Sequence, residues 1–222
     1  MLKNRNVWII LSGELIAGLG LWAGIIGNLE FMQEKVPSDF MKSLILASGL
    51  FAGILVGPMA GRIIDQSNKK TVMIYSSAAR IVSIVFMFIA LATDSIMWMV
   101  IFLITIQIAV AFYFPALQAC LPLIVEEKDL LQLNGWDMNI STIARVAGTA
   151  LAGLVLVYAP LSALYVISMV AYSVMLLFTF MLKLPNTQES LQKTAKKDAK
   201  RNFKEVFPLL KRDPGIKYTL IL

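Results

Sequence analysis

Six apolar runs, at 7–27, 43–61, 72–92, 96–121, 138–158 and 161–182, leave this chain few ways to fold. An α-helix rises roughly 1.5 Å per residue, so about 20 apolar residues cross a hydrocarbon core of roughly 30 Å. Within such a core every backbone N–H and C=O needs a partner, which a helix finds inside its own segment. The expected fold is all-α, with six transmembrane helices. Lys3 and Arg5 precede the first run as they would in a signal peptide. The length of that run, Glu14 within it and the lack of a small-residue cleavage pattern predict a retained helix instead.

The placement of charge decides between partners. Hydrophobic residues make up 58% of the chain and charged ones 15%, against about 45–50% and about 25% in soluble domains. A net charge of +6 suggests nucleic acid or an anionic membrane surface. Sixteen of the twenty Lys and Arg, however, fall before the first run, in the second and fourth connections, and after residue 182. Only Lys35 and Lys42 lie in the other connections, and Arg80 and Arg145 lie within runs. That is a topology signal, which predicts a multi-pass protein of the cell membrane with a cytoplasmic N-terminus and no nucleic-acid partner. The chain has one cysteine and no histidine, which excludes an internal disulfide and argues against a Cys/His metal site. With no nucleophile elbow and no P-loop, no enzyme, cofactor or metal is expected.

The runs differ in kind. The first two hold nine of the thirteen glycines. Gly49, Gly53 and Gly57 lie four apart and lead to Gly61, a stripe that lets a second helix approach closely; Gly148 and Gly153 mark the fifth run in the same way. The third and sixth runs contain neither Gly nor Pro. Helices one and two thus read as interior or moving elements, and three and six as lipid-facing scaffold. Correspondence between two three-helix units is what a 3+3 inverted repeat would leave. Residues 1–182 form the expected bundle. A basic linker follows at 183–215, either lying along the inner leaflet through an amphipathic stretch at 201–210 or simply solvated. Residues 216–222 are apolar again and read as the start of a truncated seventh span, which predicts the front part of a longer protein or a truncated product.

Between the second and third runs stands Gly61-x3-Asp65-x3-Lys69-Lys70, with Arg62 beside it. An acidic residue at a helix C-terminus opposes the helix dipole unless a cation meets it, and Arg62 or the lysines are the candidates. This hairpin reads either as a latch whose charges pair differently in different conformations or as an ordinary positive-inside loop. It resembles the signature of the major facilitator superfamily of secondary transporters, Gly-x3-Asp-(Arg/Lys)-x-Gly-(Arg/Lys)-(Arg/Lys). It departs from that signature at Gln66 and at Asn68, where a left-handed turn would be tolerated. The stretch PALQACLPLIVEEKDLLQLNG at 115–135 is similar to the macrolide-efflux and enterobactin-exporter group of that superfamily. Arg145-x2-Gly148-x4-Gly153 resembles its antiporter motif with Thr149 in place of Pro, and 214–218 resembles the start of helix seven in that group.

The resemblance implies the N-terminal six-helix bundle of a twelve-helix transporter, whose C-terminal half is missing from this chain. Helices one and four would line a cavity, two and five would meet the other bundle, and the protein would export a bulky amphipathic small molecule such as a drug or siderophore. A structural six-helix protein acting as a homodimer is the alternative. For the work itself, Glu14, Arg80 and Arg145 lie within runs, at similar depth from the cytoplasmic side. Charges there call for a partner or a wet cavity. Glu14 is expected to pair with Arg145 or Arg80, either as a static ion pair or as a carrier that takes a proton when the pair opens. Antiporters of the superfamily often have an Arg in helix four, whereas the only strongly polar residue of this run before Pro115 is Gln107, which counts against proton coupling. Candidates for the substrate cavity are Trp22, Asn28, Gln107, Phe112, Tyr113 and Gln118, aromatics and amides suited to a bulky amphipath.

Overall fold

The computed structural model describes residues 4–184. The linker, except for its first two residues, and the expected seventh span lie outside the described residues. The described chain forms six helices: α1 (Arg5–Lys35), α2 (Asp39–Gln66), α3 (Lys69–Thr93), α4 (Ile96–Ile124), α5 (Glu127–Tyr158) and α6 (Ser162–Met181). Each is long and apolar enough to cross a membrane.

Local chemistry sets the ends. Asn4 caps α1 by accepting from the Asn6 amide, and Ser38 caps α2 with Asp39 in its first turn. Asn68 is extended and does not use the left-handed backbone it would tolerate; its side chain accepts from the Lys70 and Thr71 amides and starts α3. The left-handed residue is Asp94, which closes α3. Its carboxylate meets Lys35 Nζ at 2.8 and 2.9 Å, stapling the end of α1 to the α3–α4 turn. The α5 helix begins well before the apolar run at 138–158. Glu127 and Asp129 are its first turn, where negative charge favours the N-terminal dipole, and are not part of a connecting loop.

The principal contacts place the helices in the order α2–α4–α3–α6–α1–α5. Exchanging α1, α2 and α3 with α4, α5 and α6 maps this order onto itself. The two outer seams show the same chemistry. A Cβ at Gly49 would stand 3.2 Å from the Leu103 carbonyl oxygen, and Gly53 faces Gln107 on α4. At the other end, a Cβ at Gly148 would come within 2.9 Å of Trp22 Cβ, and one at Gly18 within 2.6 Å of Ala144 Cβ. Small residues thus replace hydrophobic attraction as the means of joining helices in lipid.

The α3 and α6 helices differ from expectation. They pack on each other and on α4 and α1, and they are as buried as α1, while α2 is the least buried helix. Serine does there what glycine does elsewhere. The Ser76 and Ser77 hydroxyls donate to carbonyls at Val72 and Met73, and Ser83 donates to Arg80 O, so small polar groups sit buried and satisfied. The Ser168 hydroxyl, 2.9 Å from Leu164 O, also lies 2.7 Å from the Gly20 carbonyl across the α1–α6 seam.

Candidate functional site

Three apolar helices bring a charged cluster into the bundle interior. Glu14 on α1 accepts a 2.7 Å hydrogen bond from the Tyr113 hydroxyl on α4. Arg80 on α3 stands with its guanidinium carbon 4.2 Å from the centre of the Tyr113 ring and 5.6 Å from that of Tyr172. Both are cation–π distances. Its Nη1 lies 3.6 Å from Met175 Sδ, and its Nε has no partner. No ion pair among the described residues joins Glu14 to Arg80 or to Arg145. Equal depth does not set the direction in which a side chain leaves its helix: Tyr113 occupies the place between Glu14 and Arg80, and Arg145 faces elsewhere.

Arg145 lines a concavity of about 790 Å³ between α1, α4 and α5, together with Trp22, Phe114, Gln118 and Asp137. Asp137 stands one residue before the apolar run at 138–158, so hydropathy gives no sign that it lies inside the bundle. It is only 6% exposed. One carboxylate oxygen lies 3.5 Å from Gln118 Nε2 and the other has no partner. The side-chain oxygen of Asn134, one turn earlier, is likewise buried without a partner. Asn134, Asp137, Ser141 and Arg145 recur at helical spacing, a signal that a helix beginning at the acidic turn would have exposed.

The other cavity candidates disperse. Asn28 and Gln107 line a second hollow of about 350 Å³ between α1, α2 and α4. Phe112 borders a mostly apolar groove of about 750 Å³ beside α3, and Tyr113 belongs to the interior cluster. Among the glycines, Gly57, Gly61 and Gly153 face open space where Gly49 and Gly148 face helices.

In the charged hairpin, neither Arg62 nor either lysine meets the Asp65 carboxylate, which is exposed. Lys69 Nζ lies 3.3 Å from the Asp65 backbone oxygen, completing the end of α2. Lys70 Nζ donates to Phe180 O at 2.8 Å and Leu182 O at 2.6 Å, fastening the start of α3 to the end of α6.

Comparison with known proteins agrees with this architecture. Residues 10–222 match the sequence profile of the Major Facilitator Superfamily. Macrolide efflux protein A of Streptococcus pyogenes is 25% identical over 100% of this chain and 54% of its own length. The uncharacterized MFS-type transporter YfiS of Bacillus subtilis is 25% identical over 96% of this chain and 51% of its own. Macrolide efflux protein A of Enterococcus faecalis is 24% identical over 78% of this chain. The chain spans about half the length of these curated relatives. With a profile match over nearly all of its residues and six spanning-length helices in a repeat-symmetric order, this chain belongs to the Major Facilitator Superfamily.

Proposed function

We propose that this chain forms one six-helix half of a secondary active transporter in the cell membrane, with its N-terminus cytoplasmic, exporting an amphipathic small molecule by proton-coupled alternating access. The observation that carries the coupling is the Glu14–Tyr113–Arg80 cluster: an ionisable carboxylate held by one hydrogen bond in the bundle interior. If a conformational change withdraws Tyr113, an ionised carboxylate is left in apolar surroundings, and it is neutralised by a proton instead of remaining charged. Return of Tyr113 and the Arg80 field favours release. Family membership supports transport, and the macrolide efflux relatives support export of a bulky amphipath.

The test is accumulation of a labelled macrolide in cells expressing the full-length protein, with and without an uncoupler. Glu14→Gln is expected to lower uncoupler-sensitive efflux by about tenfold or more, with membrane protein level unchanged. Retention of that efflux would remove Glu14 as the proton carrier. The latch is read in the same assay. Because the Asp65 side chain is exposed and forms no hydrogen bond or ion pair among the described residues, Asp65→Asn should reduce efflux while shifting stability by no more than about 0.5 kcal/mol. Equal loss of folding would make the hairpin a folding element only.

A further inference from the structure

From the α1–α4–α5 concavity we infer a binding site for an amphipathic organic cation, with Asp137 as the counter-charge and Trp22 and Phe114 as aromatic walls. The inference rests on the exporter reading above and adds a substrate class to it. A carboxylate 6% exposed is costly without a partner. Asp137 has one long contact with Gln118, at 3.5 Å, and an oxygen with none. Asn134, three residues before it and so on the same side of α5, adds a second buried oxygen without a donor. Two unpartnered acceptors one turn apart on α5 call for a ligand that brings positive charge and N–H groups. A proton on Asp137 would answer the first and leave the second unmatched.

Size and lining agree. A hollow of about 790 Å³ lies within the range of about 300–1,000 Å³ typical of small-molecule sites. Trp22 and Phe114 line it, and aromatic rings attract ammonium groups. Arg145, the other charged group lining the hollow, does not serve as the counter-ion. It stands two turns along α5 from Asp137, roughly 12 Å by helix rise, and forms no ion pair with it. Its donors are free to orient a carbonyl or hydroxyl on the ligand's far side.

The experiment is equilibrium binding of rhodamine 6G, a bulky aromatic cation that carries N–H groups, and of the similarly sized anion fluorescein to the purified full-length protein in lipid nanodiscs. Wild type is expected to bind the cation saturably. Asp137→Asn should bind it at least about tenfold more weakly, and Asp137→Glu should stay within about threefold of wild type, with gel filtration showing both variants folded. Unchanged cation binding by Asp137→Asn, or anion binding as tight as cation binding, overturns the site. Efflux separates the two readings. If Asp137→Asn loses the cation but still exports a neutral amphipath, exporter and cation site both stand. If Asp137-dependent binding persists in a protein that exports nothing, the exporter reading falls and the site remains.

Discussion

Gly20→Leu is expected to destabilise the bundle by at least about 3 kcal/mol, since forcing added methylenes into a close-packed contact shifts backbones and side chains together. The reason is local. A Cβ at Gly20 would collide with that of Ala171 and lie 3.4 Å from the Ser168 Cα, so the neighbours are a methyl on a helix and backbone, not the end of a flexible chain. The only relief is separation of α1 from α6, which also breaks the contact between Ser168 and the Gly20 carbonyl. Gly57→Leu and Gly153→Leu add the same side chain to open space and should leave the thermal midpoint of the bundle nearly unchanged, or raise it through better helix propensity. Fluorescence-detected gel filtration after heating compares the three. Similar midpoints would mean that the α1–α6 seam yields and is not closely packed.

The second large effect is at Arg80. Arg80→Leu is expected to cost about 3–5 kcal/mol, the range for removing one member of a buried charged group. The arginine is 8% exposed and lies against Tyr113 and Tyr172. Without it Glu14 keeps its bond to Tyr113 but loses the neighbouring positive charge. Pairing Arg80→Leu with Glu14→Gln should recover part of the loss, because no uncompensated carboxylate remains. A double variant as unstable as the sum of the singles would show that Arg80 acts by packing alone. Chemical unfolding in mild detergent, with the four variants measured side by side, reads the coupling.

How much of this was legible depended on which signal each residue carries. Six helices follow from hydropathy, since runs at 7–27 and 161–182 admit no other satisfied backbone in lipid. Gly49, Gly57, Gly148 and Gly153 carry one signal, small residues at helical spacing, and that signal does not separate Gly49 and Gly148, which meet helices, from Gly57 and Gly153, which face open space. Asp137 was lost because hydropathy marks where apolar residues stop, not where the helix stops, and α5 runs on through polar residues to Glu127. The burial of α3 was lost because serine bonded to its own helix packs like glycine but reads as polar. The partners of Glu14, Lys70 and Asp65 depend on side-chain direction around each helix axis, which spacing along one chain does not set. Asn68 shows the same limit at a turn: a residue suited to left-handed backbone and to capping was found capping.

The helix order runs from α2 to α5 with α3 and α6 at its middle, and the Glu14–Tyr113 hydrogen bond ties α1 to α4 across it. Its geometry is set at the five principal seams that join the six helices. Small rotations of one sign at each seam add up at the ends, while rotations of mixed sign cancel. The outer seams, floored by Gly49 and Gly148, bring backbones close together. The middle is held by the Lys70 tie between α3 and α6. The two halves of the repeat therefore meet at the α3–α6 seam, and by leverage a rotation there changes the distance from α2 to α5 more than the same rotation at either outer seam.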